Sequence, residues 1–112
     1  MIENKIVRVA RQEVMSYLKP RLDGYRSSWS RVYIGVTAAP EKRWAKHMLN
    51  GWAKMVLLYE AYRPDIARDL EQDLIDYARR CNFLMPIENI TLGGEGIGDK
   101  DHLNYLYVLV GR

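Results

Sequence analysis

The chain has 112 residues and a mass of 13.1 kDa, which suits one domain whose core needs no disulfide or metal staple. Hydrophobic residues make up 48% and charged residues 28%, and no apolar run approaches the roughly 20 residues that span a bilayer, so a membrane-spanning helix is not expected. The single cysteine, Cys81, has no internal partner and no signal peptide is visible, which excludes a disulfide-built scaffold and predicts a reducing cytoplasm.

From residue 3 to residue 18, Ile6, Val9, Ala10, Val14, Tyr17 and Leu18 recur at helical spacing, and Pro20 is expected to stop that helix. The basic charge gathers here. Residues 1–31 hold seven cationic side chains (Lys5, Arg8, Arg11, Lys19, Arg21, Arg26 and Arg31) against three acids, a net +4, whereas the whole chain carries +3. This basic helix and linker, expected to precede the core of a single domain spanning 1–112, is the candidate phosphate-tracking element; a merely solvated helix face is the alternative.

Asp23 to Ser30 is polar and turn-like, after which Val32, Ile34 and Val36 alternate with Tyr33, Gly35 and Thr37 as a strand. Pro40 opens a helix that runs to about Leu49 and ends at Asn50-Gly51. The apolar run Met55–Ala61 has the length of a strand buried on both faces. Pro64 and Asp65 open a third helix reaching about Arg80. Ile87–Leu92 then leads into the glycine-dense Gly93–Gly98 stretch, and Tyr105–Val110 has the highest strand propensity in the chain. The pattern predicts an α+β domain of three strands and three helices.

Two sets of residues could carry chemistry. Arg43 and His47 are one turn apart on one helix face, just beyond the end of a strand, where a guanidinium fork beside an imidazole can grip a phosphate. In the third helix, Ala67, Leu70, Leu74, Ile75 and Ala78 trace the buried face, and Glu71 falls along it. A carboxylate there needs a cation or an ion pair, so it is read either as a ligand of Mg²⁺ or as the partner of Arg43 or Lys46.

Tyr33-Ile34-Gly35, with Arg43 ten residues after the tyrosine and His47 four later, resembles the GIY-YIG nuclease family. Leu57-Leu58-Tyr59-Glu60 followed by Ala67 and Glu71 is similar to that family's third strand and metal-binding helix. Asn89-Ile90-Thr91-Leu92-Gly93-Gly94-Glu95-Gly96 is similar to the string that closes the domain in phage and homing-type members. No Gly-Ile-Tyr strand precedes Tyr33, but Tyr105-Leu106-Tyr107-Val108-Leu109 resembles the form that strand takes in compact members. The resemblance therefore implies a circular permutation, with the first-motif strand at the C-terminus and Tyr107 as its tyrosine.

What the resemblance implies is a small three-stranded antiparallel sheet flanked by about three helices, and a DNA endonuclease dependent on Mg²⁺ or Mn²⁺. Glu71 holds the metal, Arg43 neutralises the phosphate, and Tyr107 or Tyr33 with His47 orients or deprotonates the attacking water. Asn89 positions metal or substrate. Lys42, Lys46 and Lys54 flank the cleft, and Arg8, Arg11, Arg26 and Arg31 follow the DNA backbone. A phage-encoded enzyme acting in the bacterial host cytoplasm is the implied setting, and cutting both strands calls for a homodimer or for sequential nicking. The competing readings are a catalytically incomplete DNA-binding module and a dimerising interaction protein on the same scaffold.

Overall fold

The computed structural model describes residues 1–80, 87–88 and 103–112. Cys81, Asn89 and the Gly93–Gly98 stretch, singled out above, lie outside the described residues. The described elements are β1 (Ile2–Asn4), a 3-10 turn (Arg11–Glu13), α1 (Val14–Ser28), β2 (Arg31–Thr37), α2 (Pro40–Met48), β3 (Lys54–Ala61), α3 (Pro64–Arg80) and β4 (Asn104–Gly111).

The α+β class is as expected, but the sheet is four-stranded and mixed, in the order β1-β3-β4-β2, not three-stranded and antiparallel. The added strand is β1, which pairs in parallel with Met55–Leu57 of β3. The predicted helix from residue 3 does not form. Ile2, Ile6, Val7 and Val9 are β-branched, and the backbone stays extended past β1, with Lys5 and Val7 donating to the carbonyls of Leu57 and Leu58 at 3.0 and 2.9 Å. Ile6 and Val7 then turn to opposite faces of the sheet, an alternation of period two that a helical reading misses.

The first helix begins at Val14 and runs through Pro20 to Ser28. Val14, Leu18, Leu22 and Arg26, each one turn from the next, are its buried residues and dock it on the core. Pro20 and Ser16 are exposed, so the Ser16 carbonyl that lacks a Pro20 N–H partner faces solvent, which lets packing outweigh the helix-breaking residue. Residues 1–31 thus supply a strand and a helix to the core itself.

β4 lies at the centre, antiparallel to β2 on one side and to β3 on the other. Its 104–111 span matches the strong propensity of Tyr105–Val110. A bulge at Leu58 shifts the β3–β4 register between Leu57 and Tyr59. One face of the sheet carries Val32, Ile34, Val36, Val56, Leu106, Val108 and Val110 and packs with residues of α1 and α3. The other carries Tyr33, Met55, Leu57, Tyr107 and Leu109 and packs with Trp44 of α2 and with Trp52. No helix among the described residues is long and apolar enough to cross a membrane.

Candidate active site

The strand period sends Tyr33 and Gly35 of β2, and Tyr105 and Tyr107 of β4, to the α2 face of the sheet. Gly35 and Tyr107 are register partners. A Cβ built on Gly35 would stand 2.5 Å from both Cζ and Oη of Tyr107, so only glycine leaves room for that ring over the β2 backbone.

The Tyr107 side chain ends on α2. Tyr107 Oη and His47 Nε2 share a hydrogen bond of 3.0 Å, with the tyrosine only 2% exposed and the histidine half-buried. Tyr33 closes the group, its ring centroid 5.7 Å from His47, 6.5 Å from Tyr107 and 6.3 Å from Trp52. These tilted contacts fix the imidazole from two sides.

Arg43 stands one turn before His47. It forms, with Thr37, Ala38, Ala39, Lys42 and Lys46, a recess of about 220 Å³ at the turn from β2 into α2. The buried Thr37 shapes this turn by accepting the Ala39 N–H on its hydroxyl at 3.1 Å. No side chain caps the helix at Ala39, so its first-turn N–H groups add positive potential at the recess. The side chains of Lys42, Arg43 and Lys46 make no hydrogen bond or ion pair among the described residues, so three cations converge unneutralised.

The other predicted DNA contacts are differently engaged. Arg8 pairs with Glu60 at 2.6 Å, Arg11 lies 3.9 Å from Asp73, and Lys54 pairs with Glu3 at 2.8 Å. Arg31 makes a bidentate pair with Glu88 at 2.8 and 3.1 Å and stacks over Trp52, 4.1 Å from the ring centroid. Arg26 is 2% exposed on the inner face of α1. Asn89 lies outside the described residues.

Glu71 is not joined to the aromatic group. It sits among Ala67, Leu70, Leu74 and Ile75 on the inner side of α3, which packs on the sheet face opposite to Tyr33 and Tyr107. Neither Arg43 nor Lys46 pairs with it. Burial pushes its carboxyl up to about 7, an effect that the Arg68 charge partly offsets, and one carboxylate oxygen is buried without a hydrogen-bond partner among the described residues. No group of three or more His, Cys, Asp or Glu that could hold a metal occurs among the described residues.

Tyr33, His47 and Tyr107 are thus brought together with Arg43 one turn away, while Glu71 stands apart. Two contributors escaped the sequence reading, Thr37 as the shaper of the turn and Gly35 as the seat of Tyr107. Gly35 interrupts a strand rich in β-branched residues, a signal of close approach in its own right. No protein-family model matches the chain, and neither curated proteins nor solved structures give a match.

Proposed function

We propose that the protein is a divalent-metal-dependent endonuclease that hydrolyses DNA phosphodiester bonds on a circularly permuted GIY-YIG-type frame. The observation that carries this reading is the Tyr107–His47 hydrogen bond of 3.0 Å, one helical turn from Arg43, which makes no ion pair among the described residues. The last strand of the chain runs antiparallel beside the Tyr33-Ile34-Gly35 strand and supplies the tyrosine for which no strand upstream of Tyr33 provides a counterpart.

Arg43, Lys42 and Lys46 bind the scissile phosphate, and the guanidinium gains hydrogen-bond strength as negative charge builds on the non-bridging oxygens. A neutral His47 accepts the Tyr107 hydroxyl proton on Nε2, so the phenol oxygen becomes a better acceptor for a proton leaving the attacking water. Tyr33 holds the imidazole in place. Glu71, the residue that the resemblance gives to Mg²⁺ or Mn²⁺, is buried on the α3 side of the sheet, away from a phosphate held at Arg43, so it does not fit as the holder of an ion acting on that phosphate and no step of the hydrolysis is routed through it.

The position of Glu71 on the α3 side of the sheet favours a second reading, a module that holds DNA without a complete metal site. Supercoiled plasmid incubated with the protein and Mg²⁺ separates the two. Nicking that EDTA and Arg43→Ala both abolish supports the enzyme; retention of plasmid on a gel without nicking supports the module.

A further inference from the structure

A second cavity, of about 720 Å³, opens beside the basic recess. Ala39 and Lys42 line both, so the two cavities adjoin at the start of α2. Their linings differ. The basic recess has three cations and no aromatic side chain. The larger cavity has the half-buried ring of Tyr105 with Ile2, Ile6 and Leu57 as an apolar floor, and at its wall the carboxylate of Glu41 and that of Glu60, one oxygen of which accepts from Arg8.

The geometry points to a pocket for one unpaired nucleobase of the strand whose phosphate occupies the basic recess. This rests on the phosphate assignment above and adds the class of substrate: DNA that is single-stranded, or opened, at the bound phosphate. A phosphate and its own base are covalently tethered, so an occupant of the recess delivers a base to the adjoining cavity. An aromatic ring over aliphatic side chains takes the face of any base and is sequence-tolerant. Acidic acceptors at the rim suit the N–H donors on a Watson–Crick edge, which are exposed only when the base is unpaired. Duplex DNA leaves this cavity empty because its bases stay stacked. Tyr105 lies two residues from Tyr107 on the same strand face, so a base held on it fixes the backbone beside the Tyr107–His47 pair.

Fluorescence anisotropy of the full-length protein in EDTA, against a labelled 12-nucleotide single strand and the blunt duplex of the same sequence, tests the assignment. Wild type binds the single strand more tightly. Tyr105→Ala weakens the single strand on the order of tenfold with little effect on duplex, and Tyr105→Phe, which keeps the ring, restores the preference. A 2-aminopurine in the single strand changes its fluorescence on binding wild type and Tyr105→Phe but not Tyr105→Ala. Equal affinity of wild type for both probes, or equal losses on both with Tyr105→Ala, overturns the nucleobase pocket. Arg43→Ala keeps the failures distinct: if it leaves both affinities unchanged, the phosphate assignment itself falls, whereas Arg43-dependent binding without strand preference removes only the nucleobase pocket.

Discussion

Gly35 and Tyr107 face each other across the β2–β4 pair so closely that a methyl group on the glycine would stand 2.5 Å from the tyrosine hydroxyl. The hydroxyl at that spot is the one bonded to His47. Gly35→Ala therefore expels the ring and breaks the bond to the imidazole. Overpacking of this kind costs about 1–3 kcal/mol, read as a lower midpoint in urea unfolding, and the NMR resonances of the His47 ring move because its Nε2 loses a fixed partner. An unchanged midpoint and unmoved resonances would show that the ring has room to spare.

Glu71 sets a pH dependence. Its carboxyl is raised from an ordinary value of 4.5 to about 7 by burial, so between those values the folded protein keeps a proton that the unfolded chain has lost. Stability from this group is full below pH 4.5, falls as pH rises from there through 7, and is lost above, amounting to a cost on the order of 3 kcal/mol. Glu71→Gln removes the ionisation, so the variant is more stable than wild type at pH 8 and the two converge near pH 4.5. Mg²⁺ or Mn²⁺ raises the melting temperature of wild type at pH 8 and leaves Glu71→Gln unmoved if the carboxylate holds the ion. Equal metal shifts in both proteins would place the cation elsewhere.

Much of this architecture can be read from residue pattern, and the failures have physical causes. α3 is legible because Pro64 opens it and apolar residues recur at helical spacing, α2 because Pro40 opens it and Asn50-Gly51 closes it, and β4 because six consecutive residues favour strands. β1 is hidden: it is three residues long, carries Glu3 and Asn4, and owes its strand character to pairing with β3 rather than to its own propensity. Likewise Pro20 misleads, because its cost falls on an exposed carbonyl while Leu18 and Leu22 are anchored in the core. Arg43, His47 and the tyrosines share one face as their spacing suggests, whereas the face on which α3 packs depends on chain crossover and is not written in the helix period.

Pro20→Ala restores the N–H that the α1 ladder lacks, at a solvent-facing position where no contact is lost. The variant gains about 1–3 kcal/mol of stability by denaturant unfolding. A loss would mean that the rigid φ of proline holds the middle of α1 in place.

Cationic side chains divide into paired and unpaired, and salt dependence of DNA binding distinguishes them. Lys42→Ala with Lys46→Ala reduces the slope of log affinity against log salt by about 2, one for each lost phosphate contact. Arg8→Ala and Arg11→Ala, which break ion pairs to Glu60 and Asp73, leave that slope close to wild type. Larger losses from the N-terminal pair would move the phosphate track to the segment between β1 and α1.

On the proposed function, Tyr107 and His47 move a proton for phosphodiester hydrolysis beside Arg43. The most direct measurement is the single-turnover cleavage rate of Tyr107→Phe, which keeps the ring over Gly35 and removes only the hydroxyl bonded to His47. A fall on the order of 100-fold with DNA affinity unchanged is the predicted result. Cleavage at the wild-type rate would contradict it.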